Sequence, residues 1–110
     1  MKRKVTTKQI LAIIKLMNNL KDFSDRKYGT IKNVIVMTNK MSPDKIYIKY
    51  EKDFTTGGEF DYEFRIVSVD MDGTLEFIDS KFKDIFERAS FIAECMPFDI
   101  EDETKFEKID

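Results

Sequence analysis

Glu59-Phe60-Asp61-Tyr62-Glu63-Phe64-Arg65-Ile66-Val67-Ser68-Val69, followed by Asp70-Met71-Asp72-Gly73-Thr74 and Leu75-Glu76-Phe77-Ile78, is the stretch that decides the fold. Phe60, Tyr62, Phe64 and Ile66 alternate with Asp61, Glu63 and Arg65, the period of a strand with one apolar and one wet face. Asp72-Gly73 between alternating apolar residues is a strong hairpin signal. A loop of those two residues alone would pair Ser68 with Phe77 and Val67 with Ile78, and would set Leu75 and Phe77 beside Ile66 and Phe64.

Upstream, Gly57-Gly58 supplies a reversal into this strand. Two β-branched runs precede it: Ile31, Val34, Ile35 and Val36, then Ile46, Tyr47, Ile48 and Tyr50, separated by the turn Ser42-Pro43-Asp44. A polar connection at residues 25–30 leads back to an N-terminal helix. Thr6 and Gln9 there have the spacing of a capping box, and Val5 and Ile10 that of a hydrophobic staple. Ile10, Ile13, Ile14, Met17 and Leu20 continue the stripe at helical steps, widened by Leu11 and Leu16. Downstream, Phe82, Ile85, Phe86, Ala89, Ile92, Ala93 and Met96 trace a second helical stripe that Pro97 ends.

The expected order is α-β-β-β-β-α: a single α+β domain at residues 1–98, with a four-stranded antiparallel meander and both helices on one face. Its expected core includes Ile13, Ile14, Phe64, Ile66, Phe77, Ile85, Phe86 and Ala89. Residues 99–110 carry six acidic and two basic side chains and are expected to extend as a mobile acidic tail.

The 110 residues hold no His and one Cys, which excludes a Ser/His/Asp triad, a Cys/His pair and the usual Cys/His zinc sites. Cys95 cannot close an intrachain disulfide, and its place in an apolar pattern fits a reduced, buried thiol and a cytoplasmic protein. Neither a signal peptide nor an apolar run long enough for a membrane span is legible. No cofactor or metal is called for.

The net charge of −2 conceals an asymmetry. Residues 1–50 hold 12 basic and 3 acidic side chains, a net +9, whereas residues 51–110 hold 7 and 18, a net −11. Part of this must end as ion pairs between neighbouring elements. The rest is concentrated in Glu51, Asp53, Glu59, Asp61, Glu63, Asp70, Asp72, Glu76 and Asp79, opposed within residues 51–79 only by Lys52 and Arg65. Carboxylates on the solvent side of strands about 4.8 Å apart resemble the spacing of phosphates, which suits a partner protein with a basic surface. The contact residues so identified are Glu51, Asp53, Glu59, Asp61, Glu63 and Glu76. Direct nucleic-acid binding by Lys2, Arg3, Lys4, Lys8, Arg26 and Lys27 fits less well, because domains that live on phosphate contacts are basic overall.

Asp70-Met71-Asp72-Gly73-Thr74, after the apolar strand, resembles the first motif of haloacid-dehalogenase-type phosphatases. That resemblance implies a nucleophile at Asp70, an acid/base at Asp72 and a bound Mg²⁺. It covers about seven residues. Only 35 residues follow Leu75, too few for the parallel strands and crossovers that carry the family's other catalytic groups. A calcium loop from Asp70 fails as well, since Lys81 stands where the bidentate Glu belongs.

The expected function is therefore non-catalytic: a small inhibitor of the kind carried by phages and mobile elements, of anti-CRISPR type, blocking a nucleic-acid-binding defence enzyme through its acidic sheet face. The Lys-rich composition, 15 Lys to 4 Arg, is shared with such accessory proteins. The alternative is an immunity or antitoxin protein that neutralises a basic toxin. The phosphatase is the remote third reading, and the oligomeric state is left open.

Overall fold

A computed structural model describes residues 3–24, 29–56, 59–98 and 106–109. The elements in chain order are β1 (Arg3–Thr6), α1 (Thr7–Ser24), β2 (Gly29–Asn39), β3 (Ile46–Thr56), β4 (Glu59–Val69), β5 (Leu75–Phe77), a 3₁₀ turn at Asp79–Lys81, α2 (Ile85–Ala93), β6 (Cys95–Pro97) and β7 (Phe106–Ile109). The α+β class and the antiparallel sheet hold, but the main sheet has five strands in the order β5-β4-β3-β2-β6. The added strand is β6, placed at an edge beside β2, where Pro97 can sit without disrupting a central ladder. Within the segment expected to be a mobile tail, residues 106–109 run parallel to β1 as β7, and the remainder lies outside the described residues.

The start of α1 is as its sequence indicates. Thr6 N donates to Gln9 Oε1 (3.1 Å) and Gln9 N donates to Thr6 Oγ1 (3.0 Å), the two reciprocal bonds of a capping box. The Pro43 turn is also in place: Lys45 N donates to Ser42 O at 3.1 Å, closing a turn with Pro at its second position. Thr56 pairs with Glu59, so the reversal expected at Gly57-Gly58 falls between them, on residues outside those described.

The helices do not share a face. Ile13 and Leu20 of α1 pack with Ile46, Ile48, Tyr50, Val67 and Val69, together with Val5 and Phe98. Phe91 and Ile92 of α2 pack with Met37, Tyr47 and Ile66, on the opposite pleat, together with Phe64, Ile78, Phe82 and Cys95. Successive strand residues point to opposite faces, so Ile46-Tyr47-Ile48 and Ile66-Val67-Ser68-Val69 are buried on both. The result is three layers, helix on sheet on helix.

Of the eight expected core residues, Ile13 and Ile66 are fully buried and Phe64 is half-buried. Ile85, Phe86 and Ala89 are exposed, which corrects the phase of α2, and Phe77 is exposed, which corrects the register of β5; Ile14 is exposed too, because α1 turns Ile13 and Leu20 to the sheet. The α2 error comes from reading one stripe through residues 82–96. The helix begins only after Asp84, whose side chain accepts from Glu87 N at 2.9 Å, and it spans nine residues. Phe82 precedes it and packs at a tilt against Phe91, with ring centroids 5.3 Å apart, so the inward face is set by Phe91 and Ile92. Ile85 and Phe86 are left 65% and 76% exposed.

The β5 error is a slip of one residue. Asp70 N donates to Thr74 O (3.0 Å) and Gly73 N to Asp70 O (2.9 Å), so the loop is Met71-Asp72-Gly73, with Gly73 at φ +84°. This is a turn closed by a left-handed glycine rather than a two-residue turn. Val67 therefore faces Phe77 and Val69 faces Leu75, and the shift moves Leu75 and Phe77 to the other face from Ile66.

Candidate binding surface

Five of the six acidic candidates lie on the β3–β4 hairpin, toward its turn: Glu51 and Asp53 on β3, Glu59, Asp61 and Glu63 on β4. Glu76 lies apart on β5, opposite Ser68. Both hairpin strands are 11 residues long, in a molecule 48 Å along its longest axis. Their turn-proximal halves form an arm that carries five acidic residues against Lys52 and Arg65 over residues 51–65, a net −3.

The register divides these acids. Glu51 is paired with Phe64 and Asp53 with Tyr62, whereas Glu63 is paired with Lys52, so Glu51 and Asp53 share one pleat and Glu63 belongs to the other. Glu59 and Asp61 hold alternate register positions with Glu63, opposite Thr56 and Phe54; their side chains lie outside the described residues. The single row of carboxylates expected from the sequence is thus two rows back to back. The signal for this was present in the sequence. A two-residue Gly57-Gly58 loop makes paired residue numbers add to a constant that sets odd positions of β3 against even positions of β4, so acids at odd positions on both strands must part.

The described carboxylates are held. Asp53 Oδ2 is 2.8 Å from Lys32 Nζ, and Glu51 accepts from the Asn33 side-chain amide, at a bulge where Asn33 adopts φ 55°. Glu63 Oε2 accepts from Arg65 Nη2 at 3.1 Å, and the same guanidinium reaches Asp79 Oδ2 at 3.1 Å through Nη1. The Arg65 guanidinium also lies over the Phe77 ring at 5.6 Å. Glu76 is paired with Lys81, whose hydrogen bond and charge hold its carboxyl below the ordinary glutamate value.

The Asp70–Thr74 segment is built as a turn. Asp72 Oδ1 accepts from Thr74 N at 3.0 Å, and the Thr74 N–H and hydroxyl hold the Asp72 carboxyl below its ordinary range, with Lys8 adding a smaller pull. Asp70 Oδ1 lies 3.4 Å from Lys45 Nζ. Thr6 Oγ1 donates to Met71 O, which ties the loop to the start of α1. A Cβ at Gly73 would come within 2.9 Å of the Lys8 carbonyl oxygen, and its φ of +84° is one that L side chains rarely adopt. Gly73→Ala should therefore destabilise the fold by about 2 to 3 kcal/mol in urea unfolding. A cost below about 0.5 kcal/mol would show that the loop and α1 do not pack as described.

Cys95 is half-buried. Its thiol donates to Phe91 O at 3.3 Å and accepts from Asn39 Nδ2 at 3.5 Å, and burial raises its pKa above the ordinary thiol value. Among the described residues, no group of three or more Cys, Asp or Glu is arranged to hold a metal ion, and no helix is long and apolar enough to cross a membrane. Comparison of the chain with protein-family models, curated sequences and solved structures finds no match.

Proposed function

We propose that this protein is a small, non-catalytic inhibitor that inserts its acidic β3–β4 arm into a basic groove of a partner protein. The observation that carries the reading is the concentration of five carboxylates on one hairpin arm with a net charge of −3 over residues 51–65. Carboxylates in two rows suit a groove whose walls close on both sides of the arm better than a flat surface. A groove shaped for nucleic acid has those walls and the matching charge. The anti-CRISPR type of inhibitor, acting in the cytoplasm on a nucleic-acid-binding defence enzyme, is the form of this function we favour. A basic toxin neutralised by an immunity protein would offer similar charge, and a partner that does not bind nucleic acid would point there.

The strand ladder explains why such an arm can be effective. Its backbone is fixed by pairing with β2 on one side and within the hairpin on the other, so little conformational entropy is lost when the acids are docked. The test is capture of the partner on the immobilised full chain, its identification by mass spectrometry, and rate measurements on the purified pair. Reversing Glu51 and Glu63 to Lys, one on each pleat, should slow association about tenfold or more at low salt. The matched control, Asp44→Lys with Glu94→Lys, changes net charge equally at exposed positions off the arm and should have a much smaller effect. Nucleic acid should displace the protein from the partner. Equal slowing by both pairs, or no competition by nucleic acid, would overturn the proposal.

A further inference from the structure

β4 outruns the strand beside it. It extends from Glu59 to Val69, but β5 pairs only with Val67, Ser68 and Val69. Ile78 N still donates to Ile66 O at 2.9 Å; the chain then leaves in the turn Asp79–Lys81, where Asp79 is ion-paired to Arg65. Among the described residues, no strand pairs with the outer edge of β4 at residues 59–64. Ile66 O faces that edge, and the β3–β4 register is unbroken from the Thr56 and Glu59 pair to the Ile46 and Val69 pair. Backbone groups alternate in direction along a strand, so Phe60, Tyr62 and Phe64 turn their N–H and C=O groups outward, while Asp61 and Glu63 bond to β3.

The two edges of the sheet are guarded differently. On the far side, β2 is bulged between Lys32 and Ile35 and is paired at Met37, Thr38 and Asn39 with β6, which ends in Pro97. Bulges, prolines and short edge strands block pairing with any chain. β4 has neither proline nor bulge over its 11 residues; its guard is charge, with Glu59, Asp61 and Glu63 at alternate register positions. A guard of charge is selective. A second copy of β4 laid antiparallel about Tyr62 would set Asp61 opposite Glu63 twice, whereas a basic strand would set opposite charges across each such pair.

We infer that β4 accepts an extended basic segment of the partner protein as an added antiparallel strand along residues 59–64, with Lys or Arg opposite Glu59, Asp61 and Glu63 and apolar residues opposite Phe60, Tyr62 and Phe64. Backbone hydrogen bonds to Phe60, Tyr62 and Phe64 give the affinity, and the alternating side chains give the choice of sequence. The inference rests on the proposed role of the arm and names how its partner is held. A groove that meets only the acids would leave this edge unbonded.

The test titrates the isotope-labelled full chain with the peptide acetyl-Lys-Val-Lys-Val-Lys-Val-Lys-amide and follows amide hydrogen exchange by NMR, so it needs no captured partner. With peptide about tenfold above its Kd, exchange at Phe60, Tyr62 and Phe64 should slow about tenfold, while Asp61 and Glu63, already bonded to β3, should change little. In the antiparallel pairing each valine N–H points at β4 and each lysine N–H points away. N-methylation of the valines should therefore weaken binding about tenfold or more, and N-methylation of the lysines much less. The acidic peptide with Glu in place of Lys, and the reordered Lys-Lys-Lys-Lys-Val-Val-Val, should each bind at least about tenfold more weakly. Absence of saturable binding up to about millimolar peptide, equal binding of the two methylated peptides, or unslowed exchange at Phe60, Tyr62 and Phe64 would each overturn the edge pairing, even where charge reversal on the arm slows the captured partner. No effect of charge reversal on that partner would overturn the role of the arm itself.

Discussion

Ile48→Ala should lower the unfolding free energy by about 3 to 5 kcal/mol, and Phe86→Ala, although it removes more atoms, should change it by less than about 1 kcal/mol. Ile48 has no accessible surface and sits at the centre of the cluster that joins α1 to β3 and β4. Truncating it removes three buried carbons and opens a void that rigid strands on both sides cannot close. Phe86 is 76% exposed on the outer side of α2, so truncation there trades little buried surface. Urea unfolding of both variants checks the pair. A large cost at Phe86 with a small one at Ile48 would mean that α2 is rotated and that the sheet is not covered on both faces.

Gln9→Leu is the second large effect, at about 2 to 4 kcal/mol, even though the replacement is apolar and similar in size. Gln9 is 1% exposed and is a hub for backbone groups from three places in the chain. Its Oε1 accepts from Thr6 N, and its Nε2 donates to Asp44 O at 2.8 Å and to Val69 O at 3.2 Å. Leucine would fill the space but leave the Thr6 N–H and both carbonyls short of a partner, each in or near the buried interior. Gln9→Glu gives a second reading: it retains the acceptor for Thr6 N but loses the amide donor, so it should also destabilise, and more at neutral pH than in acid, where a protonated carboxyl can donate once. If Gln9→Leu cost less than about 1 kcal/mol in thermal or urea unfolding, the side chain would be a local cap only and not the link between α1, the Pro43 turn and β4.

Strands β2 to β4, the Pro43 turn and the start of α1 were legible because each is set by local chemistry: β-branched and alternating runs, a fixed φ and a capping box. The candidate acids were legible as a cluster, and five of them do fall on one arm. Their division between two rows followed from a register that the Gly57-Gly58 loop encodes. Tyr47 and Ser68 were not legible as neighbours. Each lies within an apolar run, and only the cross-strand pairing brings them beside one another and beside Glu76.

The sequence by itself determined that the chain forms an antiparallel α+β domain, where α1 begins, and which side chains carry its charge, since these depend on contacts a few residues apart. Tertiary structure decided which face of each helix turns inward and which face of the sheet each helix covers. Ile85 and Phe86 were as apolar as Phe91 and Ile92 and as well placed on a helical stripe, so propensity could not choose between them. Packing chose: Phe82, held before the helix, reaches Phe91, and with Tyr47 already edge-on to that ring, the second face of the sheet is closed by residues 91 and 92. A close-packed interior admits one such arrangement, and the outward position of Phe86 follows from it.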